Sequence, residues 1–170
     1  MSARVRVEDR ECPLSTAMSY VGEWWTVLIL HDCFDGFTRF DQFEANIGLS
    51  SSMLTSRLKT LVDNGILTRR AYRERPVRHE YVLTDLGRSL RPILVVMAAW
   101  RNEQLTPPER AMVLVDTQTG REVQPVTIDP ATGISVADPR FAFRSGPAAG
   151  EQMRARYADP RTPPARPSGG

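Results

Sequence analysis

The sequence predicts a mainly helical domain with a small β component, an α+β fold, followed by an appended β-meander and a disordered tail. Three observations carry that expectation. From Pro13 to Glu103 apolar residues recur at helical spacing, punctuated by Gly36, Gly48 and Asn64-Gly65. Between Ile66 and Thr84 the period becomes that of strands, on either side of an arginine-rich turn with Pro76 at its tip. Beyond Thr106 only short apolar runs with Gly and Pro turns remain, and from Arg144 no period survives.

A chain of 170 residues can bury a real core and carry an appendage. The formal net charge is only +2, but it is unevenly placed. Between Ser50 and Arg91 the cations Arg57, Lys59, Arg69, Arg70, Arg73, Arg75, Arg78, Arg88 and Arg91 face only Asp63, Glu74, Glu80 and Asp85. That local excess suits a phosphate-binding surface. The two cysteines, Cys12 and Cys33, are too few for a disulfide scaffold or a four-ligand zinc site. There is no apolar signal region and no run near the ~20 residues of a membrane span, so a soluble cytoplasmic protein without membrane contact is expected.

Residues 1–11 are polar and read as a flexible arm. Cys12-Pro13 opens a helical pattern, and from Thr16 to about Phe34 one long helix is expected, apolar nearly all round and therefore central. Asp35-Gly36 ends it. Thr38 to Ile47 forms a short helix with Phe40, Phe43 and Ile47 inward, stopped by Gly48. The next helix begins in the serine run after Leu49 and stops at Asn64-Gly65. Ile66–Tyr72 and Glu80–Thr84 read as strands of a hairpin whose tip, Arg73–His79, is mostly arginine. Thr84 caps a further helix to about Glu103, with a bulky stripe of Leu86, Leu90, Ile93, Leu94, Met97 and Trp100; Pro92 does not forbid it but costs a backbone bond and can kink it. Residues 111–116, 121–128 and 133–136 read as three short strands. The expected division is thus an arm at 1–11, a helix-turn-helix and dimerisation domain at 12–104, a β appendage at 105–143 and a disordered tail at 144–170.

The helix after Leu49 carries the functional argument. Leu54, Leu58, Leu61 and Val62 fall on one side, and Ser52, Thr55, Ser56, Lys59 and Thr60 on the other, with no carboxylate on the open face before Asp63. Short hydrogen-bonders plus one cation suit the groove of a polyanion. The ordinary alternative is a solvated helix surface, but two helices about a Gly turn followed by an arginine hairpin form a helix-turn-helix with a wing. Arg57 projects on the apolar side and must either reach an edge or meet a carboxylate. The bulky stripe ending at Trp100 suggests a dimer seam, because one recognition helix reads few base pairs.

Val21-Gly-Glu-Trp-Trp-Thr-Val-Leu-Ile-Leu30, Arg39-Phe-Asp, Gly48-Leu-Ser, Leu54-Thr-Ser-Arg-Leu58 and Arg78-His-Glu-Tyr-Val-Leu-Thr84 together resemble the HxlR-type winged helix-turn-helix transcriptional regulators. The match runs from about Cys12 to Trp100. The resemblance implies a homodimer that binds double-stranded DNA near promoters. It places Arg39, Ser51, Ser52, Thr55, Ser56 and Lys59 toward bases and phosphates, and Arg73, Arg75 and Arg78 in the wing. Where similar proteins carry basic residues this chain has Trp24, His31 and Thr38, which implies a weaker and more salt-sensitive phosphate grip.

Cys12 stands where some similar proteins place a cysteine that senses oxidants; the helix dipole and Arg10 favour its thiolate, Glu11 opposes it, and a structural cysteine is the plainer alternative. Trp24 and Trp25 are candidates for a ligand wall or for the dimer seam. The tail echoes appended zinc knuckles of the Cys-x-x-Cys-Gly kind. Here Thr119-Gly120 and Asp129–Gly133 stand in those places, so a metal-free meander held by packing is expected. No cofactor or catalytic residue is expected, although a small-molecule effector fits the class. Two other readings remain: an enzyme with Cys12 as nucleophile, which lacks a recognisable histidine base, and a protein-interaction module that has lost DNA binding.

Overall fold

The structure is a computed structural model, and it describes residues 12–158. Residues 20–125 form one compact unit, and residues 12–19 with 126–158 belong to a second. This partition differs from the division at residues 104 and 105 expected from the sequence. The expected flexible arm, 1–11, lies outside the described residues.

The first unit is built from α2 (Trp24–Phe34), α3 (Phe40–Ile47), α4 (Ser51–Asp63), the hairpin β1 (Leu67–Glu74) and β2 (Val77–Leu83), a single turn α5 (Asp85–Arg88), and α6 (Arg91–Asn102); α1 (Pro13–Val21) precedes them. Ile29 and Leu30 of α2, Phe43 of α3, Leu54, Leu58 and Leu61 of α4, and Ile66 and Leu67 make one buried cluster. Each such side chain contributes roughly 1.5–3 kcal/mol by leaving water. Beneath the cluster, buried Asp32 accepts a 2.8 Å hydrogen bond on Oδ1 from Asn46 Nδ2, which ties α2 to α3.

The helix ends follow their residues. Gln42 Oε1 accepts from the N–H groups of Thr38 and Arg39 at 3.1 and 3.0 Å, closing the front of α3. Gly48, at φ +71°, turns the chain into α4, a conformation that penalises any side chain with a Cβ. Ser50 caps α4 by accepting from Met53 N–H. The strands pair antiparallel, with Leu67 opposite Leu83, Arg69 opposite Tyr81 and Arg70 opposite Glu80, and an irregularity between Ala71 and Arg73. At the base of the wing, Tyr81 N–H donates to Thr38 O at 2.7 Å.

Two expected helices are broken. The long helix from Thr16 to Phe34 is divided at Gly22-Glu23, because Glu23 is extended (φ −96°, ψ 127°) as the cap of α2 and its carboxylate is held by Arg57 of α4. Arg57 has therefore met a carboxylate. The helix expected from Thr84 to Glu103 is likewise divided. Thr84 Oγ1 accepts from Gly87 N–H at 3.1 Å and donates to Gly65 O at 2.6 Å, so the one-turn α5 is pinned to the end of α4. Pro92 does not kink a helix; it lies in the first turn of α6, where a missing N–H costs no hydrogen bond.

The appended segment departs most from its expected form. In place of three strands it has two isolated antiparallel bridges, Val115 with Glu122 and Ile128 with Ser135. Val113, Val126 and Ile128 are exposed, so no covered face extends the pairing into a sheet. The turns between bridged residues are held locally rather than by packing. Asp116 Oδ1 accepts from Gln118 N–H at 2.9 Å, and Asp129 Oδ2 accepts from Thr132 Oγ1 at 2.7 Å. Both turns close at a left-handed glycine, Gly120 and Gly133. In the stretch expected to be disordered, α7 (Glu151–Arg156) is a short helix and Ala149 is buried. Residues 159–170 of that stretch lie outside the described residues.

Candidate nucleic-acid interface

The open face of α4 is as the sequence places it. Ser51, Ser52, Thr55, Ser56, Lys59 and Thr60 are exposed, while Leu54, Leu58 and Leu61 beneath them are fully buried. A rigid hydrophobic anchor thus holds a row of small hydrogen-bonding groups outward. Not all of them are free. Ser51 Oγ donates to Glu44 Oε1 of α3, and Lys59 Nζ pairs with Asp63 one turn on. Thr60 Oγ1 donates back to Ser56 O at 3.1 Å, leaving the Ser56 hydroxyl itself available. Exposed pairs of the Lys59–Asp63 kind are worth little in water and yield readily to a phosphate.

The wing brings its arginines together. Arg73 lies opposite Arg78 across the hairpin, and Arg73 Nε donates to Arg75 O at 3.1 Å, so all three gather at the tip. Like charges set side by side on an exposed hairpin repel one another, and an anion bound there would relieve that repulsion. The basic surface also continues below the tip, which the sequence reading left out of the site. Arg69 Nη2 shares a 2.9 Å hydrogen bond with His79 Nδ1, and Arg70 is paired with Glu80 at 2.7 Å. The run Arg69-Arg70 was the available signal. Arg39 is exposed at the start of α3 and forms an isolated bridge with Glu80 of β2, so it belongs to the base of the wing rather than to the α4 face.

The two tryptophans separate. Trp25 is half-buried against the core, and Trp24, its ring against that of Trp25, is 58% exposed.

The two cysteines differ as well. In the second compact unit, Cys12 stands just before α1, where hydrogen bonds from the backbone N–H groups of Ser15 and then Leu14, with Arg156 nearby, lower its pKa below the ordinary thiol value. The helix N-terminus is therefore the main cause, and Arg156, far along the chain, is a cation that no local pattern places beside it. Cys33 is pushed up to about 12, chiefly by burial and further by Asp32, and is inert packing.

A short helix leading through a glycine turn into an anchored helix with an open polar face, followed by a hairpin tipped with arginine, defines the winged helix-turn-helix class of DNA readers. A family profile described as HxlR-like helix-turn-helix matches residues 20–109, and the chain belongs to that family of transcriptional regulators. It is 37% identical over 131 residues to an uncharacterised HTH-type transcriptional regulator of Mycobacterium tuberculosis, covering 69% of this chain and 83% of that one. Among solved structures it is similar to a candidate transcription factor of Pseudomonas aeruginosa, with a TM-score of 0.63 and 37% identity over 85% of this chain and 99% of that chain. It is also similar to the redox regulator HypR in its oxidised form, with a TM-score of 0.51 and 32% identity over 56% of this chain and 98% of that chain. No helix among the described residues is long and apolar enough to cross a membrane.

Proposed function

We propose that the protein is a cytoplasmic homodimer that sets α4 of each subunit into the major groove of a two-fold DNA site. Ser51, Ser52, Thr55, Ser56 and Lys59 meet bases and phosphates there, while Arg39, Arg73, Arg75 and Arg78 grip the flanking backbone. The observation that carries this reading is the α4 face, six exposed hydrogen-bonding residues over three fully buried leucines. The apolar faces left open on α1 and α6, with Leu14, Met18, Ile93, Met97 and Trp100, support the second copy. No catalysis is part of the reading.

DNA affinity responds to a signal in this proposal, either an oxidant acting on Cys12 or a small-molecule effector. The likeness to the redox regulator HypR and the lowered pKa of Cys12 support the first. Trp24, on an exposed corner of α2, is assigned to a subunit or ligand contact and Trp25 to the core that supports it.

Fluorescence anisotropy with DNA from upstream of the protein's own gene, against scrambled DNA across a salt series, tests the proposal. Selective binding is expected, with log affinity falling against log salt at a slope of about −0.9 per phosphate contacted. Equal, weak binding to both DNAs in the presence and absence of oxidant would favour a protein-interaction module, in keeping with Trp24, His31 and Thr38 standing where basic residues are usual.

A further inference from the structure

Helix α6 has two apolar faces. Ile93, Met97 and Trp100 look outward, whereas Leu94, Val95 and Ala98 line a cavity of about 150 Å³ closed on one side by Phe34 of α2 and on another by Val113 and Leu114. The third wall lies beyond the residues matched by the family profile, so it belongs to the appended segment of this chain. That wall is fixed to α6: Asn102 Nδ2 donates to Met112 O at 2.8 Å, Arg110 Nε donates to Asn102 O at 3.2 Å, and Gln124 Nε2 donates to Glu103 Oε1 at 2.9 Å.

The cavity lining is mostly apolar, and Arg91, His31 and Asp35 are its charged or titratable members. His31 Nδ1 lies 3.7 Å from Asp35. The Arg91 side chain has no ion pair or hydrogen bond among the described residues. A guanidinium without a partner on the lining of a mostly apolar hollow calls for a ligand with a carboxylate at one end and a hydrophobic body. The volume limits the body to a single ring, since an apolar cavity of about 150 Å³ is the size that accommodates benzene. Asp35 on the same lining disfavours a second carboxylate on the ligand.

We propose that this cavity is a binding site for a small aromatic monocarboxylate, with the ring between Phe34, Leu94 and Val113 and the carboxylate on Arg91. The proposal rests on the effector reading above and gives it a place. Phe34 and Arg91 also border a neighbouring cavity that reaches Thr38 and Tyr81. These two residues form the hydrogen bond joining the base of the wing to the segment before α3. A ligand that displaces Phe34 or draws in Arg91 therefore acts on the junction that orients the wing.

Calorimetric titration of the full chain with benzoate, benzamide and phthalate, without DNA, tests the site. Benzoate is expected to bind saturably, and about tenfold more tightly than neutral benzamide or the dianion phthalate, as one charge-assisted pair allows. Arg91→Gln, on an exposed residue that leaves the core intact, should bring benzoate down to the level of benzamide. Ala98→Phe, which fills the hollow, should abolish binding of both, and thermal melting establishes that each variant is folded. Equal affinity for benzoate and benzamide, an unchanged benzoate affinity in folded Arg91→Gln, or no saturable benzoate binding would overturn the proposal. Because the titration contains no DNA, these failures are distinct from failure of the regulator reading, which the anisotropy experiment reports.

Discussion

Helices α4 and α6 carry comparably bulky apolar stripes, yet Leu54, Leu58 and Leu61 of α4 are fully buried whereas α6 has no buried residue, with Trp100 66% and Met97 50% exposed. A stripe states that a face will be covered. It does not state by what. On α4 the cover is the chain's own core, and the polar face is left for an outside partner. On α6 the inner side lines a hollow, and the outer side is exposed.

That contrast can be broken by substitution. The largest effect is expected from Leu58→Ala, which empties a fully enclosed position and should cost about 2–5 kcal/mol in denaturant unfolding. Met97→Ala should cost far less on a monomer; an equal loss would mean that α6 is core after all. Gly87→Ala comes next, because a Cβ there would lie 2.3 Å from the backbone oxygen of Ile66, and the junction of α4, the wing and α5 must open to admit it. Such strain should cost roughly 1–3 kcal/mol and shift the melting temperature downward.

Trp100→Asp should leave folding nearly intact while dissociating the dimer, as read by light scattering on size-exclusion chromatography. A stable monomer in the parent protein would remove the dimer reading of that face. A smaller effect concerns the buried polar group under the core. Burial raises the Asp32 pKa above 3.8, partly opposed by the hydrogen bond from Asn46. The native state therefore holds this proton to higher pH than the unfolded chain. Its contribution to stability is full below about 3.8 and declines as pH rises through the raised native value. Asp32→Asn should flatten that part of the stability profile, measured by chemical denaturation across acidic pH.

The sequence made α3, α4 and the hairpin legible because each is bounded by its own punctuation: Gln42 reaching back to Arg39, Gly48, Ser50, Gly65, and the arginine turn with Pro76. The broken helices were less legible. Gly22 and Pro92 were visible, but the breaks depend on Arg57 reaching Glu23 and on Thr84 reaching Gly65, contacts between stretches far apart in the chain. The alternation of Val126 and Ile128 suggested strands, yet alternation without a facing surface yields only bridges. At the candidate interface the α4 face could be read from spacing alone, whereas its internal partners Glu44 and Asp63 could not be assigned. The hollow at Arg91 needed residues near positions 31, 91 and 113 to converge, and no local pattern carries that.

The pairing of Ser51 with Glu44 and of Lys59 with Asp63 bears on how the helix chooses among DNA sequences. On a helix that reads DNA, these carboxylates are resident competitors. If α4 enters the groove as proposed, phosphate oxygens compete with Glu44 and Asp63 for Ser51 and Lys59, at a small cost for pairs this exposed. On the same proposal, a site whose bases also engage Thr55 and Ser56 gains contacts beyond that exchange. A cost common to every complex cancels when an operator is compared with other DNA, so on this proposal Glu44 and Asp63 lower affinity for both and leave discrimination to Thr55 and Ser56.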